Sequence, residues 1–168
     1  CRVDLYLCTY VFFQSEDRYR YPVPYHDAQN GPPNFLFRNR ANADGSVMFE
    51  DVTESSGIHQ NNNRYSFTAG WCDYDGSGWP SLYVVNDFGR NNLYRNRDGK
   101  FTDVAAEAGV EDTGPGMSVS WFDHDGDDDR GHAGRRDLGR AAARLRHAPP
   151  RGELIAATPS ETRQPSRL

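Results

Sequence analysis

One feature constrains this chain more than any other: three motifs recur along it in the same order. Asn34-Phe-Leu-Phe-Arg-Asn39 returns as Asn91-Asn-Leu-Tyr-Arg-Asn96. Phe49-Glu-Asp-Val-Thr-Glu-Ser-Ser-Gly-Ile58 returns as Phe101-Thr-Asp-Val-Ala-Ala-Glu-Ala-Gly-Val110. Ala69-Gly-Trp-Cys-Asp-Tyr-Asp75 returns as Val119-Ser-Trp-Phe-Asp-His-Asp125. The offsets are 57, 52 and 50 residues. Asp4-Leu-Tyr-Leu7 also matches Ser81-Leu-Tyr-Val84, so parts of three copies are present. A period of this length means that one supersecondary unit is repeated, and that each unit buries its apolar face against the next.

Each copy reads as short strands. Phe35-Leu-Phe37 and Leu93-Tyr94 are apolar runs that end in Arg-Asn. Leu5-Tyr-Leu-Cys8 and Leu82-Tyr-Val-Val85 are continuous apolar runs, as strands covered on both faces should be. Asp44-Gly45 precedes Met48-Phe49, and Asp98-Gly99 precedes Phe101. Asp-Gly between strands marks a hairpin, because the turn needs positive φ at both central residues. Val104–Ala108 offers a single helical turn. About four strands per ~50 residues predicts an all-β fold made of incomplete β-propeller blades.

Composition supports a boundary near residue 129. Residues 1–129 carry 10 Lys+Arg against 21 Asp+Glu, whereas residues 130–168 carry 9 Arg against three acids. All 21 aromatic residues lie at or before Phe122. The expected organisation is therefore a partial propeller over 1–129 and an Arg/Ala/Pro-rich tail over 130–168. The tail is expected to be frame-shifted, or else disordered or weakly helical. With permitted codons, reading Arg130–Gly139 one base later restores Glu-Asp-Met-Leu-Val-Ala-Glu-Ile-Trp, an acid followed by an apolar strand. The chain opens at Cys1 directly into strand-like sequence, which reads as a cut end. No apolar run reaches the ~18 residues of a membrane span. Three Cys with no CxxC pair exclude a disulfide framework and a zinc ribbon.

The chemistry lies in the Asp-rich loops. Asp73, Asp75, Ser77 and Ser81 fall at loop positions 1, 3, 5 and 9, with Gly78 at the sharp turn and the Trp79 carbonyl at position 7. Alternate hard oxygens around a tight turn suit Ca2+, which takes 6–8 oxygens at ~2.3–2.6 Å. An EF-hand begins in this way too, but it needs a bidentate Glu at position 12, where this chain has Val84 within a strand. The second loop offers Asp123, Asp125, Asp127 and Asp129, with Asp128 at the turn and Gly131 at position 9. The first loop has two carboxylates and should bind weakly. The plain alternative is that Asp-Gly-rich turns solvate loop ends and bind nothing.

Between Asp4 and Asp129 the chain resembles the FG-GAP/VCBS repeat proteins, and among them the cartilage acidic protein-like group with an ASPIC/UnbV domain. The residues that carry the likeness are Asn34–Asn39, Phe49–Ile58, Trp71–Asn86, Asn91–Val110 and Trp121–Asp127. The resemblance implies an integrin-α-like propeller, Ca2+ in the Asp-rich loops, and a secreted, periplasmic or cell-surface location. It departs from the family pattern at Ser77, Ser81 and Asp128.

Catalysis has little to stand on. His26, His59 and His124 have no Ser or Cys in a nucleophile context, and the carboxylates are accounted for by the loops. Cys8 and Cys72 read as small core residues. The acidic repeat portion argues against nucleic acid. The expected function is a non-enzymatic Ca2+-binding scaffold for an extracellular protein or carbohydrate ligand. The competing class is a carbohydrate-active hydrolase or lyase on a propeller, which would need a carboxylate pair that calcium does not use. Gln14–Pro33 interrupts the repeat; it is either a recognition loop or, as favoured here, a loop packing its own tyrosines on the scaffold.

Overall fold

The computed structural model describes residues 3–11, 21–41, 44 and 46–121. The second Asp-rich loop and the whole 130–168 tail lie outside the described residues.

The described chain forms two antiparallel sheets. The first is β1 (Leu5–Leu7), β2 (Phe35–Ala41) and β3 (Val47–Asp51), hydrogen-bonded in that order. The second is β4 (Tyr65–Cys72), β5 (Ser81–Phe88), β6 (Asn92–Arg97) and β7 (Lys100–Asp103), again in chain order. A helical turn follows each sheet, α1 (Thr53–Ser56) and α2 (Ala105–Ala108). This is the all-β organisation expected from the repeat, and among the described residues neither sheet closes on itself.

The repeated motifs explain the repeated geometry bond by bond. The β6–β7 hairpin turns on Asp98 at φ 52° and Gly99 at φ 75°, the double positive φ that Asp-Gly supplies. In the Phe-x-Asp-Val motif, the aspartate caps the turn that follows. Asp51 Oδ1 accepts the Thr53 N–H at 2.9 Å, and Asp103 Oδ1 accepts the Ala105 N–H at 3.1 Å. The next residue ties the turn to the sheet: Val52 N–H donates to Leu36 O (2.9 Å) and Val104 N–H to Leu93 O (2.8 Å). The glycines ending the two turns, Gly57 and Gly109, have positive φ and donate back to Glu54 O and Ala106 O, each at 3.1 Å.

Asn34 and Asn91 open their motifs for the same reason. Asn34 Oδ1 accepts the Thr9 N–H beyond β1, and Asn91 Oδ1 accepts the Asn86 N–H in β5, both at 2.8 Å. Both asparagines are buried, so each amide replaces a strand partner that the backbone lacks at that point.

β5 is the axis of packing. Leu82 and Val84 face the first sheet in a cluster with Leu36, Val52, Ile58, Tyr94 and Phe101. Tyr83 and Val85 face the other way, with Tyr74, Leu93, Val104 and Val110. All four β5 residues are fully buried. An unbroken apolar run is therefore what a strand covered on both faces requires.

The segment 21–33 packs onto the same scaffold. Tyr25 meets Phe88 edge-on at 4.9 Å, and Asp27 pairs with buried Arg64 at 2.8 Å and with Arg90 at 3.2 Å. Gly31 N–H donates to Asn63 O at 2.8 Å. Tyr21 remains 87% exposed. Only part of the expected tyrosine packing is therefore made by these residues.

Candidate functional site

The first Asp-rich loop joins β4 to β5 and is built by alternation. Cys72 closes β4 and Tyr74 turns into the core, which leaves Asp73 and Asp75 on the loop side. Two glycines then reverse the chain, Gly76 at φ 63° and Gly78 at φ 82°. Gly78 is in the left-handed region that a β-branched residue resists, and a Cβ there would meet nothing within 4 Å. The requirement for glycine is therefore conformational and not steric.

Asp73 is the organiser of the turn. Its Oδ1 accepts the Ser77 N–H at 2.9 Å and its Oδ2 accepts the Gly78 N–H at 2.8 Å. Asp75 Oδ1 shares the Ser77 N–H at 3.3 Å, and the Ser77 hydroxyl accepts the Trp79 N–H at 3.3 Å. Three of the oxygens expected at loop positions 1, 3 and 5 thus converge on one turn. Ser81 stands differently: it is fully buried at the start of β5, and its Oγ accepts the Asn96 N–H of β6 at 3.1 Å. Trp79 is 43% exposed. Asp123, Asp125, Asp127 and Asp129 lie outside the described residues.

Sequence reasoning missed one participant. Arg97, at the end of β6, donates from Nη2 to Asp75 Oδ2 at 2.6 Å and from Nη1 to Ser77 Oγ at 3.1 Å. Burial pushes the Asp75 carboxyl up, but the hydrogen bonds from Arg97 and Ser77 outweigh it and hold the group below the usual carboxylate range. Arg97 is raised in turn by Asp75. The signal in the sequence was the recurrence of Arg40 as Arg97 one repeat later.

The donor set consists of hard oxygens alone, the ligand type of a hard cation such as Ca2+, and Arg97 already occupies two of its groups, Asp75 and Ser77. The charge count is low: among the described residues, no group of three or more His, Cys, Asp or Glu side chains converges.

A cavity of about 600 Å3 opens beside this loop, between the two sheets, lined by Leu36, Arg38, Trp71, Trp79, Asp4 and Asp98 among others. Asp4 is engaged there, its Oδ1 accepting the Asn39 N–H at 2.9 Å. Trp71 lines this cavity with Leu36 and Arg38 of the first sheet and meets Phe101 of its own sheet edge-on at 6.1 Å, whereas Trp121 meets Tyr83 of the second sheet edge-on at 6.2 Å. The Cys8 and Cys72 thiols are free; burial pushes Cys8 up to about 11 and raises Cys72 as well, which disfavours the reactive thiolate. His59 lies 3.5 Å from Glu54 on the exterior.

Residues 73–130 match the FG-GAP-like repeat, a segment that starts at the first aspartate of the loop. No match was found among curated proteins or among solved structures. The repeat is therefore established for that segment, and no helix among the described residues is long and apolar enough to cross a membrane.

Proposed function

We propose that this chain is part of an integrin-α-like β-propeller of the cartilage acidic protein-like group, acting outside the cytoplasm as a non-enzymatic scaffold whose Asp-rich loops take Ca2+. The observation that carries this reading is the convergence of Asp73, Asp75 and Ser77 on one glycine-turned loop, at the start of the matched repeat. Asp73, Asp75 and Ser77 would hold the ion, with the Trp79 carbonyl, while Ser81 stays committed to Asn96. Asp123, Asp125, Asp127 and Asp129 would serve the next loop. Bound Ca2+ would supply a charge that ties the β4–β5 connection together and leaves the exposed rim rigid for an extracellular protein or carbohydrate ligand.

Calorimetric titration of the full chain with CaCl2 and, separately, MgCl2 tests the reading. Binding of Ca2+ in preference to Mg2+ is expected, since Mg2+ demands near-ideal octahedral geometry and sheds water reluctantly. Part of the heat should disappear in Asp75→Ala. Identical heats for wild type and Asp75→Ala would leave the loop an ordinary acidic turn.

A further inference from the structure

Arg40 and Arg97 occupy the same place in the two repeats, each directly after the Arg-Asn that ends its strand motif. They do different things. Arg40 Nε reaches across its own sheet to Glu50 Oε2 on β3, at 2.5 Å. The position equivalent to Glu50 in the second repeat is Thr102, since Phe49 corresponds to Phe101. A threonine offers Arg97 no carboxylate on β7, and Lys100, directly opposite Arg97, is a like charge. Arg97 instead extends to the β4–β5 loop and takes Asp75 and Ser77.

We propose that Arg97 is the loop's own cation: its guanidinium closes the Asp73–Ser81 turn in the absence of metal and competes with Ca2+ for Asp75 and Ser77. The proposal rests on the reading of this loop as a calcium loop. The loop has two carboxylates, and Asp73 already spends both oxygens on backbone N–H groups. Asp75 is thus the carboxylate whose oxygen is held by a side chain that can leave. A divalent ion entering there must displace Arg97 or bind beside a positive charge, and both weaken it. The Glu50-to-Thr102 difference is what releases Arg97 for this role. The loop would therefore stay folded at low calcium and load only at high calcium, as weak extracellular modules do.

The test is CaCl2 titration of the full chain by calorimetry, in wild type, Arg97→Gln, Thr102→Glu and each combined with Asp75→Asn. The Asp75→Asn forms isolate the heat that belongs to this loop. Arg97→Gln is expected to tighten the Asp75-dependent binding about tenfold. Thr102→Glu, which gives Arg97 the partner that Glu50 gives Arg40, is expected to tighten it by a smaller factor, about threefold. Unchanged or weaker Asp75-dependent binding in Arg97→Gln would overturn the role of Arg97 and leave the calcium reading standing. Absence of Asp75-dependent heat in every form would overturn both. Should Arg97→Gln fail to fold by circular dichroism, Thr102→Glu decides: a gain supports the competition, and no gain overturns it.

Discussion

The two sheets are written in the same sequence pattern and joined by the same hydrogen bonds, yet they sit in different surroundings. In the second sheet Leu82, Tyr83, Val84 and Val85 are fully buried, because the first sheet covers one face and the segment through Trp121 covers the other. In the first sheet the equivalent strand is half open: Leu5 is 49% and Leu7 41% exposed, and every residue of β3 is exposed. The repeated motifs thus dictate the frame of a unit, its caps, hairpin and asparagine bridges. Neighbours on both sides dictate whether the unit acquires a core. A repeat of this kind has frame without full stability until it is flanked, and its free strand edges invite association.

Truncating equivalent leucines should separate the two sheets most. Leu82→Ala should cost about 2–5 kcal/mol, the range for a fully buried leucine. Leu5→Ala, at the matching position of β1, should cost less than about 1 kcal/mol. Urea denaturation of each variant reads the difference; equal losses would mean that the first sheet has a core of its own.

The asparagine bridges belong to the frame that both sheets share. Asn34→Ala and Asn91→Ala each strand a buried backbone N–H, that of Thr9 or Asn86, and should each cost about 1–3 kcal/mol. The two losses should agree more closely than those of the leucines, in the same denaturation assay. A negligible cost at Asn34 would show that the first frame is not held as the second is.

Gly78→Val should cost about 1–2 kcal/mol through the positive φ alone, because the added side chain meets open space. Its effect should persist in calcium-free buffer, where a loss of ligand charge has no consequence. Thermal unfolding in the presence of a chelator checks this.

The smallest expected effect is that of acid. The hydrogen bond from Arg64 first, against a burial cost, and then that from Arg90 hold the Asp27 carboxyl below the usual carboxylate range; Asp75 is also held low. A depressed carboxyl contributes stability that is complete above its unfolded pKa near 4 and is lost as pH falls through the lower folded value. Stability should therefore be level from neutral pH to about pH 4 and fall below it, and the fall should be shallower in Asp27→Asn. Arg64 is nearly buried, so Asp27→Asn also lowers stability at neutral pH. Denaturation midpoints across the acid range check the slope.

Much of the frame was legible because each of its parts is a local rule. The Asp98-Gly99 turn, the helical turn near Val104–Ala108, the apolar run of β5 and the position-12 valine that excludes an EF-hand all follow from residues within a few positions of one another. Asp73, Asp75 and Ser77 were legible as a loop for the same reason. What was not legible depends on the third dimension. Asn34 and Asn91 recur visibly, but the partner of Asn34, the Thr9 N–H, lies 25 residues away and is brought to it only by the fold. Ser81 has the right spacing for a ligand, yet the antiparallel register against β6 hands its hydroxyl the Asn96 N–H. Arg97 reaches Asp75, 22 residues earlier, where its counterpart Arg40 pairs with Glu50 across its own sheet, and the contrast with Thr102 is seen only when the two repeats are superposed.

One repeated frame is stabilised unequally by what covers it, and amide hydrogen exchange tests this at matched bonds. Val52 and Val104 donate equivalent hydrogen bonds to Leu36 O and Leu93 O, and Thr9 and Asn86 donate equivalent bonds to Asn34 and Asn91. The Val104 and Asn86 amides should exchange at least about tenfold more slowly than those of Val52 and Thr9, because opening the second sheet exposes a buried core. Equal protection at both pairs would contradict it.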